Sequence, residues 1–234
     1  MKFENTEVWG FEHAFRGLRN PKNSWNKSDS YYDDNNNFVI GENDMKLAQS
    51  LIKAGSEHRK FMRQIFVSVD ITAPLYWWKE FDTYKVGTVA NSTSTMHKLA
   101  TTPITIDCFE TDDYDGSLKV FDREPYNPDE TLNECATEII EICETLRKRY
   151  LETNDKKYWK ELIRWLPESW LQKRTVTMDY ENLLAICGKG QRRFHKLNEW
   201  SGQDNPNVPN FISWARTLPY AQELIFIDEL LDKK

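Results

Sequence analysis

Residues 63–88 read Arg63-Gln64-Ile65-Phe66-Val67-Ser68-Val69-Asp70-Ile71-Thr72-Ala73-Pro74-Leu75-Tyr76-Trp77-Trp78-Lys79-Glu80-Phe81-Asp82-Thr83-Tyr84-Lys85-Val86-Gly87-Thr88. From Ile65 to Ile71 apolar and polar positions alternate and β-branched residues dominate, which predicts a strand. Pro74 has the fixed φ that suits a first helical turn, so Leu75 to Phe81 is expected as a helix. Gly87 to Thr95 is rich in Ser and Thr and is expected as a polar turn. Strand, helix and turn follow one another without a linker.

Upstream, Asp44 is a plausible cap for a short helix with Leu47, Leu51 and Ile52 on one face and Gly55 at its end. Residues 18–43, rich in Asn, Asp, Ser and Lys, read as a long loop. Downstream, Pro128 to Thr153 carries Leu132, Ala136, Ile139, Ile140, Cys143, Leu146 and Tyr150 at helical spacing. A second helix is expected from Lys156 to Trp165, before Pro167. Met178 to Leu197 has helical character broken at Gly188 and Gly190. Phe211 to Leu231 reads as one or two amphipathic helices with Pro219 at the break. Helices mixed with one or more strands favour an α+β class.

The chain of 234 residues carries a net charge of −6 and an aromatic fraction of 13%. That composition argues against disorder and against a whole-chain footprint for nucleic acid. Two local basic segments remain, Glu57 to Arg63 and Lys189 to Arg193, either of which would suit a phosphate. Cys108, Cys135, Cys143 and Cys187 form no metal-ligand spacing, so no metal is expected and free thiols are the reading. No apolar run is long enough to span a bilayer, and a cytoplasmic location with no membrane partner is the default expectation.

Motifs with a nameable catalytic spacing are missing: there is no nucleophile elbow, no phosphate-binding glycine loop and no His-Glu-x-x-His. From the residues alone, the segment Ala73 to Lys85 reads either as an amphipathic core helix or as one that delivers polar groups to a site.

In order and spacing, this frame resembles the flavin-dependent thymidylate synthases. Members of that family carry a strand, an Ala-Pro helix start, then Gln-x-x-Arg-His-Arg-x-x-Ser and a polar turn. Arg63 to Val69 is similar to the family's Glu-His-apolar strand, and Ala73-Pro74-Leu75-Tyr76 to its helix start. Thr83-Tyr84-Lys85-Val86-Gly87-Thr88 occupies the Arg-His-Arg-x-x-Ser window. Asn91, Thr93 and Thr95 fall on the Glu, Ser and Arg of the turn. Met178 to Leu184 resembles Asn-x-Arg-Ser-Leu, His195 and Glu199 resemble a His-x-x-x-Glu element, and Ala215-Arg216 resembles the Ala-Arg of a final helix. Residues near 105–170 match poorly and read as an addition within a single domain spanning 1–234.

The resemblance implies a thymidylate synthase-complementing fold, a mixed sheet with long helices, assembled as a homotetramer. It implies FAD and a pyrimidine deoxynucleotide as ligands, with a one-carbon unit passed to C5 of dUMP and no protein nucleophile. Carried over by position, Gln64, Thr83, Tyr84, Lys85 and Thr88 would hold the flavin. Asn91, Thr93, Thr95, Arg192 and Arg216 would hold the nucleotide, with Tyr84 or Trp78 available to stack on a ring. No catalytic residue is assigned.

The departures are chemical. Where the family has Arg-His-Arg this chain has Thr83-Tyr84-Lys85, and Glu181 replaces an arginine. Losing two charge-assisted hydrogen bonds would cost about 3–6 kcal/mol of binding. An enzyme gripping its ligands through other residues is therefore expected. The alternative is a catalytically inactive nucleotide- or protein-binding module on the same fold.

Overall fold

The computed structural model describes residues 1–94, 98–121, 125, 127–188 and 192–231. The larger sheet is four-stranded, in the order β1 (Lys2–Trp9), β4 (Phe66–Pro74), β6 (Leu171–Asp179), β5 (Val89–Ser92). A two-stranded ribbon pairs β2 (Tyr31–Tyr32) antiparallel with β3 (Phe38–Val39). The class is α+β.

The chain divides into two compact units, with boundaries inside β4 and β6. One comprises Met1, 72–81 and 92–174. It contains α3 (Leu75–Phe81), α4 (Leu132–Thr153) and α5 (Lys156–Trp165). The orphan N–H groups that open α3 are met by carbonyls: Leu75 donates to Trp170 at 3.1 Å and Tyr76 to Glu168 at 3.2 Å. Trp77, Trp78 and Phe81 are buried, their rings packed edge-to-face and stacked. A second apolar cluster joins Leu99, Ile104, Phe109, Cys143 and Leu162. Thr131 and Glu134 form a reciprocal cap at the start of α4, and Asp155 caps α5 through the Lys157 N–H. The expected helix start at Pro128 thus moves to Leu132, where the cap sits, whereas α5 has the expected bounds.

The other unit comprises 2–71, 82–91 and 175–234. It contains α1 (Phe11–Gly17), α2 (Glu42–Lys53), α6 (Tyr180–Cys187), α7 (Asn198–Ser201), α8 (Phe211–Arg216), α9 (Ala221–Leu224) and α10 (Ile227–Leu231). Along β4, Val67, Val69 and Ile71 are buried while Phe66, Ser68 and Asp70 are half-buried, as the alternation predicts.

Several expectations are corrected. Residues 18–43 are a pinned segment rather than a plain loop: buried Asp44 accepts from Arg19 Nε at 2.5 Å, Ser28 at 2.5 Å and Ser30 at 2.6 Å. Asp44 is therefore an ion-pair anchor and Gly41 occupies the cap position of α2. The expected polar turn 87–95 contains strand β5. Met178 and Asp179 end strand β6, so the helix begins at Tyr180 rather than Met178.

Candidate functional site

Helix α6 organises the candidate site. Asp179 accepts from the Asn182 N–H at 2.8 Å, and the Asn182 side chain accepts from the Asp179 N–H at 3.1 Å, closing a reciprocal cap. The Tyr180 N–H donates to Ile65 O at 3.0 Å and its hydroxyl to Pro219 O at 2.6 Å. Burial raises the Asp179 carboxyl above the ordinary range, against the hydrogen bond from the Asn182 backbone.

The 83–88 window docks on this cap. Asn182 Nδ2 donates to Val86 O at 2.6 Å. Gly87, at φ +76°, lies where a Cβ would come within 3.0 Å of Asp179 and 3.1 Å of Asn182 side-chain oxygens. Thr83 and Lys85 are exposed. The Thr88 hydroxyl is buried and meets no hydrogen-bond partner.

Glu181 does not stand alone beside this window. Arg59 Nε donates to its Oε1 at 3.2 Å, and Arg63 grips both of its oxygens, Nη2 at 3.3 Å from Oε1. Two guanidiniums meet the Glu181 carboxylate, and the Asp179 and Glu57 carboxylates also lie in the field of Arg63, so the cations at the start of α6 are compensated. Hydrogen bonding to Glu181 raises the Arg63 guanidinium further. The sign reversal expected from Glu181 is thus locally countered, by residues of the first basic segment.

Gln64 follows in the chain and lines a cavity of about 470 Å³ with Leu18, Lys22, His58, Lys60 and Phe61. Cations, an amide and apolar walls converge there.

Tyr84 turns to a different partner. Its hydroxyl accepts from Arg192 Nε at 2.9 Å, and the Arg192 guanidinium lies 5.5 Å from the Tyr84 ring centre and 4.9 Å from that of Trp200. Arg192 is thereby placed between two aromatic faces.

At the other end of α6, about 12 Å along at 1.5 Å per residue, stands a second arginine group. Arg216 donates to Glu229 in a bidentate pair, Nη1 to Oε2 at 3.0 Å and Nη2 to Oε1 at 2.6 Å. Arg193 bonds both Asp228 and Glu229. The Arg216 hydrogen bonds pull the Glu229 carboxyl down to about 2. Burial pushes the Cys187 thiol, which closes α6, well up against the opposing field of Arg193 and Arg216.

The nominated residues therefore do not form one group. Lys85 and Thr88 belong to the window that docks at the start of α6, Gln64 faces Gly17 and the cavity, and Tyr84 joins Arg192. Arg216 lies near the end of α6. Asn91 is exposed on edge strand β5, and the Thr93 N–H that follows bonds Lys173 O at 2.9 Å. Thr95 lies outside the described residues. Trp78 is fully buried, with Nε1 on Gln172 O at 2.9 Å and Arg174 over its ring at 4.2 Å, so it is a core residue and not a stacking platform. Asn182, Trp200 and Glu229 were not foreseen; only an Asp-x-x-Asn cap pattern at 179–182 hinted at the first. No group of three or more metal-ligating side chains occurs among the described residues, and none of their helices is long and apolar enough to cross a membrane.

No protein-family model and no curated protein matches the sequence. Solved structures do match. The flavin-dependent thymidylate synthase ThyX from Helicobacter pylori, complexed with FAD and dUMP, superposes with a TM-score of 0.61 at 14% identity, covering 97% of this chain and 99% of that one. The chain has the fold of the flavin-dependent thymidylate synthases. A UMP/dUMP methylase, PolB from Streptomyces cacaoi bound with 5-Br dUMP, superposes on this chain with a TM-score of 0.58 at 13% identity, covering 97% of this chain and 93% of that one.

Proposed function

We propose that the protein binds a pyrimidine deoxynucleotide together with FAD and transfers a one-carbon unit to C5 of dUMP. The observation that carries this reading is the Arg59–Glu181–Arg63 group. It gathers two guanidiniums on the first turn of α6, the helix whose cap takes the Val86 carbonyl of the 83–88 window. The fold shared with proteins solved with FAD, dUMP and 5-Br dUMP supports the ligand classes.

The residues fit a flavin in part. Lys85 is an exposed cation, Thr88 has a buried hydroxyl in need of a partner, and Arg63 is half exposed, so a diphosphate meets complementary charge. Thr83 brings no charge, and Tyr84 already serves Arg192. When bound, reduced FAD supplies the electrons and the carrier for the one-carbon unit. Lys85 and Arg63 then hold phosphates, and Gln64 offers an amide to a ring edge beside the cavity. The chain's task is grip and orientation rather than covalent catalysis. We read the assembly as a homotetramer and residues 105–170 as an addition to a single domain.

A non-catalytic nucleotide- or protein-binding module is the second reading. The neutralised arginines at Arg193 and Arg216 favour it.

Purified protein titrated with FAD and then dUMP tests the first reading. Flavin absorbance bound to the protein and loss of binding by about tenfold in Arg63→Ala are expected. Absence of flavin uptake alongside nucleotide-dependent thermal stabilisation would move the assignment to the binding module.

A further inference from the structure

The arginine group at the end of α6 has more donors than its carboxylates use. Arg193, whose side chain is 9% exposed, gives one Nη to Asp228 and the other to Glu229, while its buried Nε–H meets no acceptor. Asp228 Oδ1 is likewise buried with no donor. The Arg216 guanidinium lies over the Phe226 ring, 4.1 Å from its centre, and gives both Nη groups to Glu229. Two guanidiniums thus face two carboxylates with the charge balanced and the hydrogen bonding incomplete.

We infer that Arg193 and Arg216 form a binding site for a phosphate monoester, held shut in this chain by Asp228 and Glu229. A phosphate dianion carries the same charge as the two carboxylates. Its terminal oxygens also offer acceptors enough for the Nε–H that the carboxylates leave unmet. Exchange therefore preserves neutrality, whereas removing the carboxylates alone would strand two cations, one of them buried. The fold allows the exchange. Ile225, Phe226 and Ile227 are buried and anchor the segment, while Asp228 and Glu229 beyond them are half-buried and held by ion pairs. The two carboxylates can leave the arginines without uncovering that core.

The phosphate source is either free phosphate or a nucleotide. The second case rests on the function proposed above, and the first does not. The test uses the full chain as Asp228→Asn/Glu229→Gln, with calorimetric titration of inorganic phosphate, dUMP and deoxyuridine. At least about tenfold tighter binding of phosphate is expected, and of dUMP if the nucleotide is the source, with no gain for deoxyuridine. Adding Arg216→Gln should abolish the gain, and Glu152→Gln, at an exposed position, should give none. If the double variant does not fold, Glu229→Gln alone should give a smaller gain of the same sign. Phosphate and dUMP affinities unchanged in a folded variant overturn the inference. Gain for phosphate without any dUMP binding sustains it and sinks the nucleotide function. Tight dUMP binding indifferent to Glu229 and Arg216 does the reverse.

Discussion

Arg59 donates its Nε–H to Glu181 at 3.2 Å, joining residues far apart in the chain at the first turn of α6. Arg63 grips the same carboxylate, and its own side chain is 52% exposed. The carboxylate therefore orders two cations instead of opposing an anion. Glu181→Gln should free both guanidiniums from their negative partner. We expect flavin affinity to rise by about tenfold, with a loss of folding stability of about 1 kcal/mol for the weakened, partly exposed pairs. Titration with FAD and thermal melting of the same variant measure the two effects. A fall in affinity would show that Glu181 contacts the ligand directly.

Gly87 should not tolerate a side chain. Its φ of +76° is strained for other residues, and a Cβ would press on Asp179 at 3.0 Å and Asn182 at 3.1 Å. Gly87→Ala is expected to cost about 1–3 kcal/mol and to shift the window away from the cap. A lowered melting temperature accompanied by weaker flavin or nucleotide binding is the expected pair of outcomes. Unchanged binding would separate the window from the site.

Stability should fall in acid at a definable place. The Glu144 carboxyl is held down at about 2 by its hydrogen bonds from Arg147, and Glu229 at about 2 by those from Arg216. Both lie below the ordinary 4.5. Their contributions are complete above that value and are lost as pH falls from about 4.5 toward 2. The side chains are 17% and 28% exposed, so about 1–2 kcal/mol each is the discounted magnitude. Denaturant melts between pH 7 and 2.5 should show this loss, reduced in Glu144→Gln. A profile identical in that variant would remove the ion pair from the account.

The sequence disclosed those elements whose burial follows a period. Lys156 to Trp165 is bounded by the Asp155 cap and Pro167, and Ile65 to Ile71 alternates cleanly. Strand β1 is mostly exposed along Lys2–Trp9, and β5 is exposed throughout, so neither leaves an apolar alternation to read. In β6 the run Gln172-Lys173-Arg174-Thr175 masks the alternation. The Thr83 to Thr88 window was picked out by the family resemblance alone, and its docking on α6 through Asn182, far downstream, leaves no pattern in the chain. Charge compensation was not legible. Arg63 meets Glu181 across 118 positions and Arg216 meets Glu229 only because α8 and α10 fold together. Such pairings depend on tertiary structure and leave no spacing in the chain.

Trp78 illustrates the same gap between residue type and role. Being fully buried, it holds Gln172 O and lies under Arg174. Trp78→Phe keeps most of the packing and strands the carbonyl, for an expected cost of about 1–3 kcal/mol. Trp78→Ala adds a cavity and should cost about 3–5 kcal/mol. Flavin or nucleotide affinity of the folded Phe variant should be unchanged, which a spectroscopic titration checks.

Tyr84 and Arg192 provide the sharpest separation of site from scaffold. The Tyr84 hydroxyl takes the Nε–H of Arg192 at 2.9 Å, while the guanidinium lies over Trp200 at 4.9 Å. The hydroxyl thus sets the in-plane rotation of a cation that the indole face holds in plane. Tyr84→Phe removes the first constraint and keeps the second, so stability should drop by only about 1 kcal/mol. Arg192→Lys retains charge but loses the planar group that stacks on both rings. If Arg192 orients a phosphate, both variants should weaken dUMP binding by about three- to tenfold, the lysine more than the phenylalanine, at nearly unchanged melting temperature. If it is only a structural strut, the lysine variant should lose stability and keep its affinity, and the nucleotide-binding role assigned to Arg192 would fall.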